Sequence, residues 1–199
     1  MMGAMTEAQP EQRRVTISDP QVMRALAHPA RLAIVEHLSF LGGRGASATE
    51  CAEVAGLSPS ATSYHLRALA KFGLVEEAPG RGDARERLWR TRNPSFLVDA
   101  GQSAGPEARA AEQALIEAHN ARDAARARDW LRRAGDEPRE WYEVAVFNNS
   151  MLLVTAEEQA RLNAEFERLV EPYRHRNRAA DPPPGARRVG VQYRVVPLD

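Results

Sequence analysis

Apolar positions in the first half of the chain recur at helical spacing between recognisable capping residues. Asp19-Pro20 sets a capping side chain before a proline suited to the first turn, which predicts a short helix through Ala27. His28-Pro29 restarts the helix, and Leu32, Ile34, Val35, Leu38 and Leu41 then share a face until Gly42-Gly43 stops it. Ser47-Ala-Thr-Glu50 has the form of a capping box, opening a short helix to Gly56. Ser58-Pro59 opens another over 59–72, ended by Gly73. Two short helices joined by Gly56-Leu57-Ser58 make a helix-turn-helix. Residues 74–78 and 86–92 then flank the turn-rich Pro79-Gly80-Arg81-Gly82-Asp83 and predict a hairpin. Together these elements describe a winged-helix domain over 19–98, behind a polar stretch, 1–18, expected to be a disordered arm.

After a small polar linker at 101–106, residues 107–134 read as one long alanine- and arginine-rich helix. Ala108, Ala111, Leu115, Ala118 and Ala125 line one side of it, and such a face lets another helix approach closely. Residues 141–147 alternate around Tyr142, Val144 and Val146, Asn148-Asn149 supplies a turn, and 151–154 returns as a second strand. Thr155-Ala-Glu-Glu158 is a second capping box, opening a helix to about Tyr173 with Leu162, Phe166, Leu169 and Val170 on its apolar side. The proline run at 181–185 is a stiff connector, and Val189, Val191, Tyr193 and Val195 alternate as a final strand. The expected architecture is mainly α with small β, an α+β protein: a winged helix followed, over 107–199, by a long dimerisation helix and a small α+β domain with a dimer or effector role.

Composition narrows the function. The 27 basic and 27 acidic residues balance, so any affinity for nucleic acid must come from local clusters. Arginine supplies all the basic residues except Lys71. A single cysteine, Cys51, excludes an internal disulfide and any site needing two thiolates, and suggests a reducing, cytoplasmic setting. No apolar run approaches the roughly 20 residues that span a bilayer.

Placing the second helix of the motif at about 100° per residue puts Thr62, Leu66, Leu69 and Phe72 on one side. Ser60, Tyr64, Arg67 and Lys71 fall on the other, a face of hydroxyls, an aromatic ring and two cations without an acid. That chemistry suits the major groove and its flanking phosphates. Ser58 and the helix N-terminus add a place for a backbone phosphate. The hairpin carries Arg81, Arg85, Arg87, Arg90 and Arg92 against Asp83 and Glu86, a net of +3. Positive charge gathered at a wing and one helix face is the footprint of a DNA binder.

The stretches Ala25-Leu-Ala-His-Pro-Ala-Arg-Leu, Ala52-Glu-Val-Ala-Gly-Leu-Ser-Pro-Ser, Ser63-Tyr-His-Leu-Arg-Ala-Leu and Phe72-Gly-Leu-Val-Glu-Glu resemble the ArsR-type winged helix-turn-helix transcriptional regulators. The resemblance covers about 19–92 and implies a bacterial homodimeric repressor on a double-stranded operator. By position it implies groove contacts from Ser58, Ser60, Ser63, Tyr64 and Arg67, with Arg85 and Arg87 on the wing. Metal-sensing members place a cysteine pair near the helix beginning at Ser47, where Cys51 stands alone.

The remaining chemistry-bearing residues read as structural. Cys51 reads as a small semi-buried residue, and His65 lies nearer the packed side of its helix than the outer stripe. His28 precedes a proline at a helix junction, and His37 and His175 lack convergent partners. His119 and Asp123, four apart, supply two ligands of the four that zinc prefers. Neither a paired nucleophile and base nor a phosphate-cradling loop emerges, so no enzyme, metal or cofactor is expected. Arg122, Arg126, Arg128, Arg132 and Arg133, interspersed with Asp123 and Asp129, read as a solvated helix face. Trp141, Tyr142, Phe147 and Met151 serve either as core or as the lining of a small-molecule effector pocket. The competing reading of the whole is a winged-helix interaction module whose arginine wing grips an acidic protein partner.

Overall fold

Capping residues set where the helices start. In the computed structural model, which describes residues 15–80, 87–93, 96–179 and 181–198, Asp19 accepts the Gln21 N–H at 2.7 Å to open helix α1, Pro20–Leu26. His28 Nδ1 accepts the Ala30 N–H at 3.2 Å and opens α2, Pro29–Leu41. The Ser47/Glu50 capping box closes in both directions, at 3.2 and 2.7 Å, ahead of α3, Ala48–Ala55. Gly56, at φ 64°, takes the left-handed cap that ends it. Ser58 accepts the Ala61 N–H at 3.2 Å and begins α4, Pro59–Lys71.

These helices enclose one apolar core. Met23 and Leu26 of α1, Ile34, Val35 and Leu38 of α2, Cys51 of α3, and Leu66 and Leu69 of α4 are all buried. Each such large side chain contributes about 1.5–3 kcal/mol through area removed from water. A three-stranded antiparallel sheet closes the unit: β2 (Ala46–Ser47), β4 (Leu88–Thr91) and β3 (Val75–Ala78), in the order β2-β4-β3. Ala46 stands opposite Trp89, and Val75 opposite Thr91. This is the winged helix expected from the hydrophobic pattern.

One pairing was not foreseen. Val15–Ile17 forms strand β1, parallel to β5, Phe96–Val98, with Ile17 against Val98 and buried. Residues 15–17, expected to belong to a disordered arm over 1–18, are therefore part of the folded unit; residues 1–14 lie outside the described residues. A three-residue strand whose partner lies some 80 residues on has too little local pattern to be read.

Helix α5, Pro106–Arg133, buries Ala111 and Leu115 against α1. The alanine side expected to receive another helix thus receives one from its own chain. Arg24 of α1 pairs with Glu107 at 2.6 Å, and Glu36 of α2 accepts from both Arg122 and Arg126. Two members of the arginine row read as solvated are therefore spent on this joint.

Further along, the structure corrects the expected strands. Residues 139–143 form a short helix, α6 (Arg139–Glu143), Val144 closes it in the right-handed helical region, and 145–154 and 189–198 form neither helix nor strand among the described residues. Alternating side chains favour a strand only where another strand supplies the hydrogen bonds, and none among the described residues does. The second capping box holds: Thr155 and Glu158 exchange bonds of 3.2 and 2.8 Å at the start of α7, Ala156–Val170. A final short helix, α8, spans His175–Arg178. Among the described residues no helix is long and apolar enough to cross a membrane.

Histidines are unevenly placed for acid. His65 packs against His28, ring centroids 4.7 Å apart, and edge-on to Tyr64. Burial first, then the His28 and Arg31 charges, holds its pKa below the usual 6.5. Burial likewise is the main cause lowering His37, His119 and His175.

Two outcomes follow. Gly45, at φ 62°, has no room for a side chain, since an added Cβ would sit 2.8 Å from the Trp89 carbonyl; Gly45→Ala should cost about 2 kcal/mol or more, read as a fall in chemical-denaturation midpoint. The four histidines bind protons more readily unfolded than folded, so stability is full above their unfolded pKa and falls as pH drops through 6.5. Thermal melting should therefore decline from about pH 7.5 to about pH 5.5, above the range in which carboxylates titrate. Equal melting temperatures at both ends would contradict it.

Candidate nucleic-acid interface

The inner stripe of α4 determines what its outer stripe presents. Thr62, His65, Leu66 and Leu69 are buried, and Phe72, just past the helix end, is half-buried. On the opposite side Ser60, Arg67 and Lys71 are exposed, and Tyr64 is 60% exposed with its ring braced on His65. His65 is thus a packing residue, as its position on the helix suggested.

Two of the serines are partly committed. The Ser58 oxygen already caps α4, and Ser63 Oγ donates to the Pro59 carbonyl at 2.9 Å. Ser58 keeps a donor and Ser63 an acceptor for any further contact. Arg67 Nε donates to the Ser63 carbonyl at 3.2 Å, which lays the side chain back along the helix.

A cleft of about 360 Å³ runs between α4 and the sheet, lined by Ser47, Ala48, Thr49, Ser63, Arg67, Arg87 and Trp89. Its wall at Ala48 and Thr49 is the first turn of α3, where free backbone N–H groups and the helix dipole favour an anion. Arg67 and Arg87 face that turn across the cleft. Thr49 is the residue missed in the sequence. Its position inside the capping box was the available sign, because such a box marks a helix start.

The wing is less positive than the hairpin's own residues suggest. Glu76 on β3 accepts from Arg90 and Arg92, each at 2.9 Å, and their guanidinium groups hold its carboxyl below the usual range. Arg87 lies 3.2 Å from Glu77 and is exposed. The expected net of +3 omitted these two acids of the facing strand. Arg81 and Arg85 lie outside the described residues.

The other candidates are placed as follows. Cys51 is fully buried rather than semi-buried, and burial with Glu50 nearby pushes its thiol up to about 12, so it stays protonated. Asp123 is taken by Arg126 at 3.0 Å, while His119 packs near Phe96. Trp141 sits under Arg187, and Tyr142, Phe147 and Met151 are exposed, so the four do not enclose a pocket.

Comparison with known proteins agrees with this geometry. A helix-turn-helix domain family matches residues 26–78, from the end of α1 through β3. The chain is also 39% identical, over 72 residues, to the HTH-type transcriptional regulator YgaV of Escherichia coli (strain K12). The matched stretch is 36% of this chain and 68% of that protein. The matched residues contain α3, the turn, α4 and the first strand of the wing, and on this evidence the chain belongs to the helix-turn-helix transcriptional regulators.

Proposed function

We propose that this regulator is an ArsR-type homodimeric repressor that binds a pseudo-palindromic operator through residues 19–98. In this reading α4 enters the major groove, where Ser60, Tyr64, Arg67 and Lys71 meet base edges and phosphates, with Ser58 and Ser63 at the helix start. Arg87, with Arg81 and Arg85, reaches the backbone from the wing. The observation that carries the reading is the acid-free outer face of α4 opening onto a cleft with Arg67 and Arg87 on its walls. Thr49 and the first turn of α3 seat a phosphate across that cleft. Two copies place two such faces about one helical turn apart on DNA, and residues 107–199 hold the copies together. The buried protonated thiol suits a protein of the reducing cytoplasm.

Fluorescence anisotropy on DNA from upstream of the protein's own gene, beside a scrambled duplex, tests this directly. The native fragment should be preferred by about a thousandfold or more, with affinity falling steeply as salt rises. Arg67→Ala should weaken operator binding on the order of 10- to 100-fold without changing the dimer mass. Arg87→Ala should weaken binding to both duplexes and lower the salt slope by about one. Equal, weak binding to both duplexes together with capture of an acidic protein would replace the operator by a protein partner.

A further inference from the structure

Two stretches in the C-terminal half are apolar and join neither a helix nor a sheet among the described residues. Residues 144–154 carry no charge at all, and 189–198 carry only Arg194. Val146 is 76% exposed, Met151 86%, and Leu153 fully exposed, with Val191 and Leu198 at 66% and 80%. Apart from the Ala145 N–H, which donates to the Tyr142 carbonyl, neither stretch makes a backbone-to-backbone hydrogen bond among the described residues. Apolar side chains in water and a row of free N–H and C=O groups together make an open strand edge, which folded proteins normally cover.

The second stretch is nevertheless held in place. Tyr193 stacks on Phe166 of α7 at 3.8 Å, and its hydroxyl donates to Asn163 at 3.0 Å. Arg194 donates to Asn120 of α5. A segment of alternating apolar residues anchored in this way and left apolar outside can receive another strand.

Area and charge decide what arrives. The chain exposes 14915 Å², whereas a compact monomer of its 22.0 kDa exposes about 9,300 Å². Granting every residue outside the described set the about 160 Å² of an unfolded chain still leaves an excess of roughly 1,700 Å². That is what each protomer gives to a large obligate homodimer. A charge-free stretch offers nothing to a partner that recognises by charge, yet it meets its own copy across a two-fold axis without repulsion. The alanine side of α5 is not free for this role, because Ala111 and Leu115 are already buried against α1.

We propose that 144–154 and 189–198 pair as antiparallel β strands with the same stretches of a second copy, forming a sheet shared between protomers. The inference rests on the homodimer of the function proposed above and adds where the copies meet.

Sedimentation velocity on the full chain from about 1 to about 100 μM, with hydrogen exchange at both ends of that range, tests it. The expected mass is twice 22.0 kDa, with the amides of both stretches protected only where the dimer is populated. The exposed-site pair Leu153→Asp and Val191→Asp should raise the dimer dissociation constant at least about 100-fold while circular dichroism stays that of the parent. If that pair disturbs folding, protection of the parent's amides still decides the matter. A monomer throughout overturns the proposal, as does a dimer whose 144–154 and 189–198 amides exchange freely. A dimer protected in this way that ignores operator DNA would leave the interface standing and remove the proposed function; an operator-binding dimer whose two stretches exchange freely would do the reverse.

Discussion

The register in which α4 packs on the core is the constraint from which the rest of the winged helix follows. Leu66 and Leu69 reach the buried cluster of Met23, Ile34 and Leu38, and Thr62 and His65 fill the same side. With 3.6 residues to a turn, that choice alone turns Ser60, Tyr64, Arg67 and Lys71 to solvent. Turning the helix by one residue would press Arg67 toward the core, and a charge without a partner there costs far more than a leucine gains. Small residues on α3, Cys51 and Ala52, are both buried and let the two helices of the motif come close. Apolar packing therefore does the aiming for a polar surface.

Charge is distributed to the same end. Overall neutrality conceals a division of labour among the arginines. Arg90 and Arg92 are absorbed by Glu76 and stiffen the base of the wing, while Arg122 and Arg126 are absorbed by Glu36 and tie α5 to α2. Among the described residues Arg67 and Lys71 enter no ion pair, and Arg87 shares only a solvent-exposed one with Glu77. An exposed pair of that kind is worth little and is easily exchanged for a phosphate. The cations around the α4 face thus have little invested in the fold.

What the sequence made legible is what is local. Asp19, the Ser47/Glu50 and Thr155/Glu158 boxes, and Gly56 act within a turn of themselves, so spacing alone located the helix ends. The inner and outer stripes of α4 could be read for the same reason. Contacts between distant segments could not. The β1/β5 pair joins strands of three residues, and Glu36 meets arginines 86 and 90 residues away. Counting the hairpin's charge without Glu76 and Glu77 was the same error on a smaller scale, since the facing strand supplies those acids. In 144–154 and 189–198 the alternation predicted strands that do not form among the described residues, because pairing depends on a partner strand that their own pattern does not identify.

Those two stretches bear on the winged helix through α5. At 28 residues α5 is about 42 Å long, comparable with the roughly 34–36 Å between half-sites one turn of DNA apart. Its first half is fixed to α1 by Ala111, Leu115 and the Arg24–Glu107 pair, and farther along Glu36 clamps Arg122 and Arg126 to α2. Asn120 on the same helix holds Arg194 of the final stretch. A displacement of that stretch is therefore carried by a stiff rod rather than a linker, and the rod is bolted to the helices that support α4. In the two-fold assembly proposed above, the strand pairing would act on the middle of α5, between its contacts with α1 and with α2, and so on the separation and tilt of the two α4 faces. On that proposal the C-terminal region would affect the fit to DNA through how two copies pair, without binding a ligand.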